Sequence, residues 1–271
     1  MWQEIEQAFN RALSFALTRK KFFLIFPTLL ICGIAIVFCH MLWVEANPWV
    51  RASLAFVPGF LLVAFFLAVA VPLIRLYHDE VKHKSISVNQ TLNRSWSLMG
   101  SVSSIILPIV TVYLALWFVL GLFYLIKNLP VMGEALAGIL SFGPFLLIAG
   151  SLVLCLISFA LLFFLTPVVA LKSTMSWDLA EEVLKQIGKE PFLHIILLLI
   201  GVFPMIIVVA LLTLAAALTG MTYFITERTW AIALQWFVIM IPFGALISPA
   251  VLFFFNFAGE SFVILQRHKK S

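Results

Sequence analysis

The side chains able to do chemistry are few and scattered. Five histidines are present, and only His78 and His83 lie near each other, in a charged segment. No His-Glu-x-x-His helix offers a zinc site. Cys32, Cys39 and Cys155 each sit inside an apolar run, where inert buried thiols are expected rather than a disulfide or metal framework. Ser101, Ser103 and Ser104 follow Gly100, but an intramembrane serine nucleophile needs an imidazole from a neighbouring helix. Only His194 qualifies, so small residues at a packing contact explain the cluster better. No glycine-rich phosphate loop or paired-carboxylate arrangement is present. We therefore expect no catalytic residue, no cofactor and no metal.

Glu260 is the exception to an otherwise uncharged apolar interior. It lies in Phe255-Asn256-Phe257-Ala258-Gly259-Glu260-Ser261. If the last apolar run ends near Phe254, Glu260 is interfacial; if the run reaches Val263, Glu260 is in the membrane, where an ionisable group suggests function. The interfacial reading is favoured.

The elements that must carry these residues are set by composition. The 271 residues are 63% hydrophobic and 11% charged, with a mean hydropathy of +1.14. A soluble domain is about a quarter charged, so this chain has too little polar surface to face water. Six apolar segments, approximately 22–44, 54–76, 102–126, 145–171, 192–218 and 231–254, each reach the ~20 residues of a spanning helix. Trp43, Trp49, Tyr77, Trp96, Tyr124, Tyr223 and Trp230 flank them as interface anchors. The run from Ala135 to Leu171 overshoots and contains Gly138, Gly143-Pro144 and Gly150; tilt, a re-entrant turn or an interfacial continuation would absorb the excess. The fold class expected is all-α, a polytopic membrane bundle of six transmembrane helices.

Six spans leave both termini on one side. That side holds nearly all the basic residues, whereas only Arg51, Lys127 and Arg228 fall on the other. This asymmetry places both termini in the cytoplasm and explains the pI of about 9.2 without nucleic acid. Val44-Glu45-Ala46 resembles a cleavage site, but the preceding run is too long for a signal core, so a retained helix is expected. The sequons at Asn89 and Asn93 fall on the cytoplasmic side and are read as unused.

The segments before the odd spans resemble one another. Residues 5–14 and 88–97 share Gln, Asn, Arg and Ser at matching positions, and 179–187 keeps the pattern loosely. Apolar residues recur every fourth place: Ile5, Phe9, Leu13; Val88, Leu92, Trp96; Leu179, Val183, Ile187. This spacing predicts amphipathic helices, each lying with its apolar face at the headgroup boundary or against the spanning bundle and each with one basic residue: Arg11, Arg94 and Lys185. Asp178 with Glu181 would cap the third. Pro72, Pro167 and Pro249 each sit near the end of an even span, as expected of a bend where the chain exits. The pattern defines a pseudo-threefold internal repeat, approximately 1–76, 77–171 and 172–254, with a tail at 255–271, in one membrane domain.

Pro58-Gly59, Pro72 and residues 91–100, Thr-Leu-Asn-Arg-Ser-Trp-Ser-Leu-Met-Gly, carry a family resemblance. With Pro167-Val168-Val169-Ala170 and residues 178–184, they make the chain similar to the UPF0259 (YciC-like) membrane proteins. The same superfamily holds the membrane domain fused to some glycerophosphodiester phosphodiesterases. The last third departs, since no Ser-Trp element follows Pro249. The resemblance implies a six-helix inner-membrane protein concerned with the envelope or lipids, and no catalytic residue carries over.

The expected role is non-enzymatic organisation of the envelope or its lipids at the cytoplasmic membrane. Arg11, Arg19, Lys20, Lys21, Arg94, Lys185, Arg267, Lys269 and Lys270 would form a basic collar contacting anionic lipid headgroups. The alternative is a transporter, or an accessory subunit of one, for an apolar or lipidic solute. Its path would follow helix breaks at Pro108, Pro204 and Pro242.

Overall fold

Long uncharged runs of Leu, Ile, Val, Phe and Ala satisfy their backbone only as helices when water is excluded. The computed structural model follows this rule. It describes residues 2–84, 87–103, 105–127, 137–172, 185, 187–188, 190–219 and 229–268. Among them are nine helices and no strand: α1 (Trp2–Ser14), α2 (Arg19–Glu45), α3 (Pro48–Leu54), α4 (Val57–Val81), α5 (Val88–Ser103), α6 (Ile106–Lys127), α7 (Ala137–Lys172), α8 (Pro191–Leu218) and α9 (Thr229–His268). Six segments are long and apolar enough to cross a bilayer: Arg19–Trp43, Val50–Val81, Ile106–Lys127, Phe142–Lys172, Pro191–Leu218 and Ala231–His268. The protein is a multi-pass integral membrane protein with an all-helical, six-span bundle.

None of the three prolines ends its helix. α4 runs past Pro72 to Val81, α7 past Pro167 to Lys172, and α9 past Pro249 to His268. The expected end of the last span near Phe254 is therefore corrected: α9 is one helix of 40 residues, about 60 Å long at 1.5 Å per residue. α7 likewise passes Gly143, Pro144 and Gly150 without a re-entrant turn. Hydroxyls within these spans satisfy themselves on the helix backbone. Thr166 and Ser248, each just before a proline, donate to the carbonyls of Leu162 and Gly244 four residues back.

α4, α7 and α9 run side by side and parallel at the centre. Gly59 of α4 abuts Cys155 of α7 near one end, and Arg75 bonds the Ala170 carbonyl near the other. Phe66 meets Phe255 edge-on at 5.7 Å, and Phe163 lies 5.3 Å from Phe254. The remaining spans wedge between neighbours. α2 lies between α4 and α9, and α6 packs on α7 and α4. α8 packs on α9, with Phe163 and Phe164 of α7 reaching Gly201 and His194.

Gly201 marks the closest approach. A β-carbon there would sit 2.6 Å from the ring of Phe163, which is fully buried. The core is thickest at the end of the bundle that holds both termini, where rings of Phe163, Phe253, Phe255 and Phe257 interlock.

α1 and α5 lie across that end, and α1 rests on it by Ile5 and Phe9 of the expected stripe, Phe9 meeting Phe253 edge-on at 4.9 Å. α1 buries Ile5, Ala8 and Ala12, while Leu13 is half exposed. α5 buries Thr91, Ser95 and Val102, and Trp96 stands 74% exposed. Small residues let a helix approach its neighbour closely, so Ala8, Ala12 and Ser95 face protein beside Ile5 and Phe9, while Leu13 and Trp96 are left outside. Of the third such segment, 179–187, only Lys185 and Ile187 are among the described residues, and the Asp178 cap lies outside them.

Candidate functional site

Polar side chains gather where α1, α2, α4 and α9 meet. α4 ends there in a tight turn: Lys84 N–H donates to the Asp79 carbonyl at 2.9 Å, and His83 takes a positive φ of 54°. That ending fixes Tyr77 and Glu80, three residues apart, on one face. α9 supplies Asn256 and Glu260, four apart and so also on one face. α1 supplies Arg11, and the first turn of α2 supplies Lys21.

The six residues form two linked sets. Lys21 is fully buried, with Nζ 2.8 Å from Glu80 Oε2 and donating to Asn256 Oδ1 at 3.4 Å. Its ammonium also lies 5.2 Å from the centre of the Tyr77 ring and 5.8 Å from that of Phe15. In the second set, Tyr77 donates from its hydroxyl to Glu260 Oε1 at 2.6 Å, and Arg11 Nη1 lies 3.4 Å from both Glu260 oxygens. Asn256 joins the sets by donating from Nδ2 to the Ala12 carbonyl at 3.1 Å. That carbonyl, in the last turn of α1, has no partner within its own helix. Two cations thus face two carboxylates around a shared amide, an ionic clasp that neutralises itself.

Lys21 is accordingly not a headgroup contact. The expectation that the whole Arg19-Lys20-Lys21 run belongs to an outer collar is corrected: the helical turn points Arg19 and Lys20 outward and Lys21 into the bundle. Of the other expected contacts, Arg94, Lys185 and Arg267 are exposed, Arg11 is half exposed while paired, and Lys269 and Lys270 lie outside the described residues. Pro72 and Pro167 are buried among helices and Pro249 is partly so. Glu260 is buried by protein, level with α1 and the end of α4, rather than standing alone in the span.

A second polar feature lies on the other side of α4. A cavity of about 640 Å³ opens between α4, α5, α7 and the end of α9. Arg75, His78 and Asp79 line it from α4, Thr91 and Arg94 from α5, and Gln266 from α9. Leu98, Leu171, Phe262 and Val263 give it an apolar side. Arg75 is held rigidly: Nε donates to the Ala170 carbonyl at 2.9 Å, and Nη1 donates to the Arg94 carbonyl at 3.0 Å and Ser95 Oγ at 3.1 Å. This guanidinium ties α5 and α7 to α4 and sets a fixed positive charge at the cavity wall.

Elsewhere the chemistry-bearing residues are occupied in packing. His194 Nδ1 lies 2.8 Å from the Glu190 carbonyl, with its ring against Phe164. His40 lies between Trp43 and Trp236. Among the described residues, no three His, Cys, Asp or Glu side chains gather as a metal site would require. Ser101, Ser103 and Ser104 have side chains outside the described set. Comparison of the chain with family models, curated proteins and solved structures gave no match.

Proposed function

We propose that this protein is a non-catalytic organiser of lipid at the cytoplasmic (inner) membrane, with both termini on the cytoplasmic side. The observation that carries the reading is what α1, the turn after it and α5 leave outward. Trp2, Leu13, Leu17 and Trp96 are 64%, 50%, 78% and 74% exposed, beside the exposed Arg19, Lys20 and Arg94. Large apolar and basic side chains interleaved at one end of a bundle match the headgroup boundary, where the first enter the acyl region and the second meet phosphate.

The cyclic order of contacts supports the threefold repeat. Each odd span packs on its own even partner and on the even span of the preceding unit, with α9 preceding α2. α1 rests on α9 and α5 on α4 in the same sense. The UPF0259 resemblance belongs to this proposal and agrees with a role at the envelope. For the transport alternative, α8 and α9 continue unbroken through Pro204 and Pro242, and Pro108 sits in the first turn of α6.

The test is lipid selectivity of the reconstituted full chain. Spin-labelled phosphatidylglycerol should show a larger motionally restricted fraction than spin-labelled phosphatidylcholine. Equal fractions would remove the reading, and flux of a fluorescent lipid probe above protein-free vesicles would favour transport. Labelling of Lys20→Cys from the outer side of intact cells would overturn the orientation.

A further inference from the structure

We propose that the cavity between α4, α5, α7 and α9 binds the phosphate ester of an anionic lipid headgroup. The inference rests on the lipid-organising reading and gives it a defined site. The volume, about 640 Å³, falls within the roughly 300–1,000 Å³ of small-ligand sites. Two guanidinium groups, Arg75 and Arg94, stand against one carboxylate, Asp79, so the lining carries a positive excess. Arg75 is oriented by three hydrogen bonds before any ligand arrives, which lowers the ordering cost of binding. The planar fork of the exposed Arg94 suits phosphate oxygens better than a lysine point charge would, with Arg75 supplying fixed positive charge beside it. Thr91 and Gln266 add hydrogen-bonding groups for a headgroup hydroxyl.

The apolar side distinguishes a lipid from a free phosphate ester. Leu98, Leu171 and Phe262 offer a surface for the first acyl carbons, whereas a soluble phosphate ester would leave them wet. Exposed Trp96, the residue before Ser97 of the cavity lining, marks the interfacial level at which a headgroup would enter.

Native mass spectrometry of the full chain, equilibrated in detergent with equal phosphatidylglycerol and phosphatidylcholine, reads the site directly. The wild type should retain phosphatidylglycerol. Arg94→Gln, at an exposed side chain that the fold does not use, should weaken that retention roughly tenfold, and Arg94→Lys should restore part of it. Lys127→Gln, at the far end of α6 and outside both the cavity and the collar, should leave it unchanged. If Lys20→Gln lowers retention and Arg94→Gln does not, the preference belongs to the outer collar, and the cavity proposal falls while lipid organisation stands. No preference in the wild type overturns both. Saturation by millimolar glycerol phosphate, without lipid retention, overturns the lipid assignment in favour of a soluble phosphate ester.

Discussion

Glu80→Gln tests the clasp at its most demanding contact. Lys21 has no exposed surface, and its Nζ lies 2.8 Å from Glu80 Oε2 and 3.4 Å from Asn256 Oδ1. Neutralising Glu80 leaves a buried ammonium facing two amide oxygens and the face of Tyr77. Removing one partner of a buried pair costs about 3–5 kcal/mol. Glu80 itself is 23% exposed, so water can approach the rim of the pair, and the lower end, about 3 kcal/mol, is expected. Lys21→Met removes the buried charge instead and leaves a carboxylate that water can reach, so it should cost less, about 1–2 kcal/mol. The double variant should then be closer to Lys21→Met than to the sum, giving a coupling of at least about 2 kcal/mol. Equilibrium unfolding of the detergent-solubilised protein in sodium dodecyl sulfate, followed by far-UV circular dichroism, measures all four corners of the cycle. A coupling within 0.5 kcal/mol of zero would mean that Glu80 does not hold Lys21, and the clasp as described would be wrong.

Two further substitutions probe neighbouring contacts. Tyr77→Phe deletes the donor to Glu260 while keeping the ring over Lys21 and beside Phe15; a loss of about 1.5–3 kcal/mol is expected in the same unfolding assay, and an unchanged midpoint would refute the bond. Gly201→Ala should cost about 1–3 kcal/mol because its methyl group meets the buried Phe163 ring at 2.6 Å. Gly244→Ala, whose nearest neighbours stand at 3.8 Å, should be within about 0.5 kcal/mol of wild type; equal effects at the two glycines would contradict the packing of α8 on α7.

The spans were legible because hydrophobicity at this length has one structural outcome, and each of the six apolar runs became a helix in its expected place. The ends were not. Proline in a membrane helix need not end it when neighbouring helices pack on both sides of the break, so Pro249 gave a false stop and hid the depth of Asn256 and Glu260. The faces of α1 and α5 were legible only in part. Ile5 and Phe9 of the apolar stripe meet the bundle, but Leu13 and Trp96 turn outward, and Ala8, Ala12 and Ser95 make the close contact that small residues permit. The clasp left only a faint trace in the sequence: Tyr77 with Glu80 and Asn256 with Glu260 sit at helical spacing, but nothing local assigns Lys21 rather than Lys20 to them.

The clasp joins residues at opposite ends of the chain: Arg11 and Glu260 are 249 positions apart in a protein of 271. During synthesis Lys21 therefore enters the bilayer edge long before Asn256 exists, and for most of translation Glu80 is its only hydrogen-bonding or charged partner, beside the rings of Phe15 and Tyr77. The ring of spans closes only when the last helix slides between α2 and α7. Loss of the final few dozen residues would remove the closing segment of the whole assembly, exposing the faces of α2, α4 and α7 that α9 covers. A nascent chain stalled before that point would present a charged, unfinished seam to the quality-control machinery of the membrane.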